Sequence, residues 1–325
     1  MRSFAYGRPE SLAQAAAHLA EAGAGTFVMG GGTDLLGEIK EGTAAAETVL
    51  DLKTIPGLAY IRKDQAGLAI GATTTIAELA EDPEIQAIWP ALHQAAAAIA
   101  SPQLRNVGTV GGNLCQRPRC WYYRDASVTC RKKGGAHCFA EGGRNKYHAI
   151  FGGICYAVHP SDLAPVLAAF EAELTVAGAA GERVIPVEKF FAPPIVNVKR
   201  ENGLDGKEIV KEIRVRRPGP GDRSAYIKLI ERGAWDFALV SAAVRIIGGG
   251  GAIRDIRIVC GGVAAVPLRL TKAEDALKGS RPTEGNIRQA VDKAAADAAP
   301  LSENGYKIDL LRAAVIDAVM KAAKP

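Results

Sequence analysis

The sequence predicts an α+β protein with a larger mixed N-terminal unit and a smaller C-terminal domain, and three observations predict it. First, 325 residues exceed what one hydrophobic core ordinarily organises, about 250 to 300. Second, helical and strand-like apolar patterns alternate along most of the chain, with glycine-rich turns between them. Third, Arg216-Arg217-Pro218-Gly219-Pro220-Gly221-Asp222 is dense in proline, glycine and charge, the composition of a linker, and divides the chain into residues 1–220 and 221–325.

The first element is a helix. Ser11-Leu12-Ala13-Gln14 matches a capping box, and Leu12, Ala15, Ala16 and Leu19 fall on one face. Gly23 and Gly25 close it, and Thr26 to Met29 is a short buried-strand run that turns through Gly30-Gly31-Gly32-Thr33-Asp34-Leu35. Thr48 to Leu52 and Leu68 to Ile70 are two further strands, and Ile76 to Leu79 begins a helical stretch. Alanine-rich Ile85 to Ala100 reads as one helix, ended by Ser101-Pro102, before a second glycine loop at Gly108-Thr109-Val110-Gly111-Gly112-Asn113-Leu114. After an irregular basic stretch at 115–155, a helix over Leu163 to Phe170 and strands over Leu174 to Ala177 and Val184 to Val187 resume the pattern. Beyond the linker come a strand at Ala225 to Ile230, a helix or strand at Ala238 to Ile247, a four-glycine turn at Gly248 to Gly251, and a strand at Ile253 to Val259. Helices over Glu284 to Ala298 and Lys307 to Lys321 complete the small domain.

Composition narrows the function. The net charge of +5 is small for this length, and no lysine or arginine run resembles a nucleic-acid arm or a polybasic anchor. No apolar run approaches the roughly 18 residues of a membrane span, and the N-terminus lacks the apolar core of an export signal. A soluble protein is expected, cytoplasmic or carried to the periplasm with a partner. Cys115, Cys120, Cys130, Cys138 and Cys155, five of the 6 cysteines, crowd into 115–155 among Arg117, Arg119, Arg124, Arg131, Lys132 and Lys133. Without an export signal, that clustering favours a metal or cluster site over disulfides. No C-x2-C pair is present, so zinc ribbons and the bacterial ferredoxin run both fail, and spacing leaves the metal open. Cys260, in an apolar strand, reads as a core residue, and His148 and His137 as bystanders.

Glycine loops let backbone N–H groups converge on an anion, because no Cβ blocks the approach. Gly30 to Leu35 is not a dinucleotide fingerprint of the Rossmann kind, since the third glycine would fall at Leu35, and there is no P-loop. Each loop taken alone could be a plain tight turn. Together with Thr109 and Asn113 as donors and Asp162 as an acceptor, they suit a phosphorylated, polyhydroxylated ligand.

These residues carry a family resemblance: Val28-Met29-Gly30-Gly31-Gly32-Thr33-Asp34-Leu35, Ile70-Gly71-Ala72-Thr73-Thr74-Thr75, Arg105 to Leu114, and His159-Pro160-Ser161-Asp162-Leu163, continued by Lys228, Arg232 and Asp236. The chain resembles the FAD-binding subunits of the xanthine dehydrogenase and CO dehydrogenase family of molybdenum hydroxylases, over nearly its whole length. The resemblance implies a PCMH-type FAD-binding domain of two α/β subdomains, followed by a CO dehydrogenase flavoprotein-like domain. Val28 to Leu35 would wrap the FAD diphosphate, with help from Thr109, Gly112 and Asn113. Asp162 would hold the ribityl chain, and Lys228 would lie by the isoalloxazine ring, where the alternative is a solvated surface lysine.

Flavin subunits of 4-hydroxybenzoyl-CoA reductase and of periplasmic aldehyde oxidoreductases are similar in having a cysteine insertion at this point, which there binds a 4Fe-4S cluster. That likeness favours Cys120, Cys130, Cys138 and Cys155 as ligands and Cys115 as the spare; buried thiols and a zinc site remain the alternatives. The implied partners are a large molybdopterin-binding subunit, a small 2Fe-2S subunit and an external electron acceptor. Two rivals stand beside this reading. One is a self-sufficient FAD oxidoreductase, for which no catalytic base is found; the other is a metal-binding or nucleic-acid-binding scaffold, which leaves the glycine loops without a role.

Overall fold

The computed structural model describes residues 2–249 and 251–324, so Gly250 in the expected four-glycine turn lies outside it. Three sheets organise the chain. The first is parallel, in the order β1-β3-β2, from Ala5–Gly7 (β1), Thr26–Met29 (β2) and Thr48–Asp51 (β3). The helix Leu12–Glu21 makes the crossover and buries Ala15, Ala16 and Leu19. Ser11 accepts from the Gln14 N–H as a cap should, but the Gln14 side chain accepts from Glu10 rather than Ser11, so the capping box closes one residue early.

The second sheet is antiparallel, in the order β4-β5-β8-β6-β7. Its strands are Ile61–Lys63 (β4), Gly67–Gly71 (β5), Glu173–Gly178 (β6), Gly181–Pro186 (β7) and Ile209–Arg216 (β8). The sequence reading passed over β8, yet it sits in the middle of the sheet. The expected single helix at Ile85 to Ala100 is instead two, Pro83–Ile88 and Pro90–Ala97. Pro90 lacks the N–H that would continue the first helix and starts the second. Trp89, at the break, is fully buried, and its indole N–H donates to the Arg216 carbonyl at 3.0 Å.

The third sheet, in the order β12-β11-β10-β9, holds Asp222–Leu229 (β9), Val240–Gly249 (β10), Ala252–Gly261 (β11) and Leu268–Arg269 (β12). Alternate residues of its strands face opposite sides, as the period-2 pleat requires. Tyr226, Ala243 and Val259 join the N-terminal core around the wholly buried helix Leu163–Ala169. Ala225, Ala242 and Val244 pack instead against the helices Thr271–Leu277, Glu284–Ala295 and Lys307–Ala323. One apolar core therefore runs through both parts of the chain.

Residues 115–155 are mostly irregular, with a short α-helix at Trp121–Arg124 and a 3-10 turn at Arg131–Lys133. Their C-terminal end is anchored on the segment before the last helix. Asn145 Nδ2 donates to the Ser302 hydroxyl, Asn304 donates to the carbonyls of His148 and Ala149, and the fully buried Lys307 ammonium donates to the carbonyls of Tyr147 and Gly262. Burial without a carboxylate partner pushes Lys307 down to about 7. Among the described residues no helix is long and apolar enough to cross a membrane.

Candidate functional site

A cavity of about 1000 Å³ lies where the N-terminal sheets meet β9, and all of Val28 to Leu35 line it, with Thr109, Gly112, Asn113, Asp162 and Lys228. The two glycine loops form one wall because they touch. A Cβ on Gly31 would fall against the Val107 carbonyl and within 2.8 Å of Gly108 Cα, and one on Gly30 would strike the Thr109 hydroxyl. Gly32 has φ +72°, which a side chain resists. The second loop is propped from behind by Ala72 to Ile76: the Val110 N–H donates to Thr74, that of Gly111 to Ala72 and that of Ile76 to Gly108. Thr75 and Glu78 complete a capping box there, a local signal of the T-x-x-E kind that the sequence also carries.

The polar side chains have specific partners. Thr109 caps the helix Val110–Cys115 by accepting from the Gly112 N–H. Asn113 Oδ1 accepts from the Ser161 hydroxyl at 2.6 Å, so what it has left to offer is its NH₂. Asp162 is buried; one oxygen accepts from Tyr226 at 2.6 Å and the other from the Lys228 ammonium at 2.8 Å. Burial holds the Asp162 carboxyl above its usual value despite the ammonium beside it. Lys228 also donates to the Ala98 carbonyl, and its side chain is 5% exposed, so it is no solvated surface lysine.

Asp34 does something the sequence could not show. Its carboxylate accepts from the Arg117 N–H at 2.7 Å, from Arg124 at 2.6 Å and from Arg119 at 2.7 Å. That engagement fits a carboxylate better than contact with a diphosphate, since like charges repel. The first glycine loop is thereby fastened to the cysteine insertion. Next to it Tyr123 donates to Glu38 at 2.6 Å, and Glu201 pairs with both Arg117 and Lys132.

Trp235 and Phe237 line the cavity without having been singled out in the sequence, beside Arg232 and Asp236 of the resemblance, which form an ion pair at 2.6 Å. Trp235 is 65% exposed at φ +58°, a left-handed backbone that costs a non-glycine residue roughly 1–2 kcal/mol. The available signal was the tryptophan inside the Lys228-to-Asp236 segment that carried the resemblance. The stretch Arg200 to Glu208 lines the other side and gave no sequence signal at all.

Cys120, Cys130, Cys138 and Cys155 line a second, small cavity of about 10 Å³ together with Tyr122, Tyr123, Arg131 and Lys132. Cys115 is not among them; it lines the large cavity, and burial pushes its thiol up to about 12. Burial likewise raises Cys120 to about 12 and Cys155 above its usual value. Among the described residues no three Cys, His, Asp or Glu side chains gather closely enough to hold one metal ion. His148, read as a bystander, is buried with Nε2 at 3.2 Å from Cys120 Sγ. His159 is buried with Nδ1 accepting from the Ser161 N–H, in the turn before Asp162. Cys260 is a fully buried core residue.

The sequence profile described as the FAD binding domain in molybdopterin dehydrogenase matches residues 2–218, and that of the CO dehydrogenase flavoprotein C-terminal domain matches residues 225–322. The chain belongs to this family of flavoproteins. It is thus an FAD-binding subunit of the oxidoreductase kind, with the large cavity where the two matched regions meet. Among curated relatives, it is 32% identical to the aldehyde oxidoreductase FAD-binding subunit PaoB of Escherichia coli K12, with 99% of each chain covered. It is 30% identical to the carbon monoxide dehydrogenase medium chain of Hydrogenophaga pseudoflava, over 92% of this chain and 88% of that one. Carbon monoxide dehydrogenase from Hydrogenophaga pseudoflava, solved without the Mo-pyranopterin moiety, superposes with a TM-score of 0.79 at 29% identity, covering 99% of this chain and 97% of that chain. Quinoline 2-oxidoreductase from Pseudomonas putida 86 shares the fold, with a TM-score of 0.78 at 21% identity over 99% and 97% of the two chains.

Proposed function

We propose that this chain is the electron-transfer subunit of a molybdenum-containing aldehyde oxidoreductase built from three different subunits. It would take electrons from a molybdopterin-binding subunit through a 2Fe-2S subunit and deliver them to an external acceptor. The observation that carries the reading is the large cavity at the junction of the two matched regions, walled by two contacting glycine loops and a buried Asp162–Lys228 pair. Likeness to an aldehyde oxidoreductase FAD-binding subunit over 99% of both chains supports the substrate class. The relatives named as subunits or medium chains support the division of labour.

The residues fit FAD. The backbone of Val28 to Leu35 would hold the diphosphate, with the Thr109 hydroxyl and the Asn113 amide assisting while the Gly112 N–H serves the helix cap, and Asp162 would accept from the ribityl hydroxyls through lone pairs not used by Tyr226 and Lys228. Bound FAD supplies a carrier that accepts two electrons and can release them singly. Lys228 would sit beside the ring, but its charge is already matched by Asp162, so the pair presents a dipole to the flavin rather than a net positive charge.

The four cysteines that share the small cavity are the proposed ligands of a 4Fe-4S cluster. Unlike a single zinc ion, whose four ligands must all lie about 2.3 Å from one point, a cubane binds each thiolate to a different iron. Four cysteines on the wall of one cavity supply the number of thiolates it requires. Arg131 on the cavity wall would offset part of the thiolate charge, the Lys132 charge being already shared with Glu201. The present volume is that of about one water, so loading must spread the loops. The expected result for the chain purified without oxygen is flavin absorption with a broad sulfur-to-iron shoulder and four irons. Cys130→Ser should lose the shoulder and the iron and keep the flavin, whereas Cys115→Ser should keep all three. Iron retained by Cys130→Ser, or zinc in place of iron, would remove the cluster from this proposal.

A further inference from the structure

His148 is the feature of the cysteine region that ligand assignment leaves without a task. Its ring is buried, 3% exposed, with Nε2 3.2 Å from Cys120 Sγ, and Nδ1 has no partner among the described residues. Sulfur is thus the ring's polar neighbour. The ring does not line the cavity the four cysteines share, and its polar contact is with the Cys120 sulfur.

The ring is also held in place from two directions. Trp121 meets it edge-on with centroids 5.1 Å apart. Its backbone N–H donates to Asn145 and its carbonyl accepts from Asn304, which is fully buried ahead of the last helix. Asn145 is fixed by Glu303, whose carboxylate accepts its N–H and whose N–H donates to its side chain. A ring fastened this firmly by the C-terminal part of the chain, with its polar edge on one sulfur, is built for that sulfur. A neutral thiol is a weak acceptor, whereas a thiolate is a strong one.

We infer that His148 donates an N–H···S hydrogen bond to the Cys120 thiolate and thereby raises the reduction potential of the cluster it ligates. The inference rests on the cluster reading above. Reduction adds negative charge that spreads onto the thiolates, so a donor to sulfur stabilises the reduced state more than the oxidised one; hydrogen bonds to sulfur are among the levers that set such potentials. His148 acts through Cys120 and is a positioning residue.

The test uses the full chain, prepared without oxygen and titrated with dithionite while the reduced cluster is followed by electron paramagnetic resonance. His148→Leu should keep its iron and titrate at a more negative potential, with the ratio of reduced to oxidised cluster at the wild-type midpoint falling about fivefold. His148→Gln, which keeps a donor, should fall closer to wild type. An iron-loaded His148→Leu protein that follows the wild-type curve overturns the inference. Should that variant fail to load iron, the unaltered chain still decides. With ¹⁵N-labelled histidine, the reduced cluster should show a weak nitrogen coupling and an exchangeable proton coupling in electron–nuclear double resonance, and absence of both overturns the inference. A wild-type chain with flavin and no iron sinks the cluster reading itself, a distinct result.

Discussion

Gly31→Ala should weaken FAD binding sharply. The added carbon would meet the Val107 carbonyl and the Gly108 Cα, both backbone, so no side chain can swing aside. The two glycine loops must separate, and overpacking of this kind costs about 1 to 3 kcal/mol. Because both loops line the cavity, the displacement falls where the cofactor's diphosphate is proposed to sit. Affinity for FAD, read by quenching of its fluorescence, should drop by about five- to 150-fold, since each 1.4 kcal/mol is tenfold. Gly285→Ala is the control. Its Cβ would meet nothing within 4 Å, and its place in the helix Glu284–Ala295 should make alanine neutral or slightly stabilising. Equal FAD affinity in Gly31→Ala and wild type would show that loop contact does not form the site.

What the sequence made legible follows from the range of the interactions. The helix Leu12–Glu21 and β2 were readable because their signals, a serine cap, a 3.6 period and a short apolar run, are local. Strand β8 was not. Its pattern Ile209-Val210-Lys211-Glu212-Ile213 breaks the alternation where the register with β6 shifts, between Thr175 and Val176, and the strand runs straight into the linker. At Trp89-Pro90 the alanine-rich composition outweighed a proline whose meaning was available.

In the site, the loop backbones were readable because glycine clusters announce themselves. Side-chain commitments were not, because they depend on contacts across the chain: Asp34 to arginines 83 and 90 residues away, and His148 to a cysteine 28 residues before it. The resemblance could nominate Asp162 and Lys228 as two ligands. Only the fold shows that they form one ion pair, which changes what each can do.

That pair carries the second large effect. Lys228→Met leaves the Asp162 carboxylate buried with Tyr226 as its remaining donor, and breaking a buried pair by removing one partner costs about 3–5 kcal/mol. The penalty depends on pH. Asp162 already titrates above the ordinary carboxyl value because of burial, and loss of the ammonium that opposes this must raise it further. Below the unfolded pKa of about 4 the acid is protonated whether folded or not, and there is no charge to bury. As pH rises from there the unfolded chain releases the proton first, so stability falls until the folded pKa is passed. Lys228→Met and the double variant Lys228→Met/Asp162→Asn should therefore unfold at similar urea concentrations near pH 4 and diverge by pH 7, with the double variant the more stable. Coincident curves at both pH values would mean that Asp162 does not carry the charge assigned to it. The double variant also separates packing from cofactor binding, because it keeps the shape and the Tyr226 contact but removes the carboxylate. If it binds FAD as wild type does, the pair is structural and the ribityl chain is held elsewhere. If affinity falls below that of Lys228→Met while the fold survives, Asp162 itself faces the cofactor, because the two variants differ only at that carboxylate.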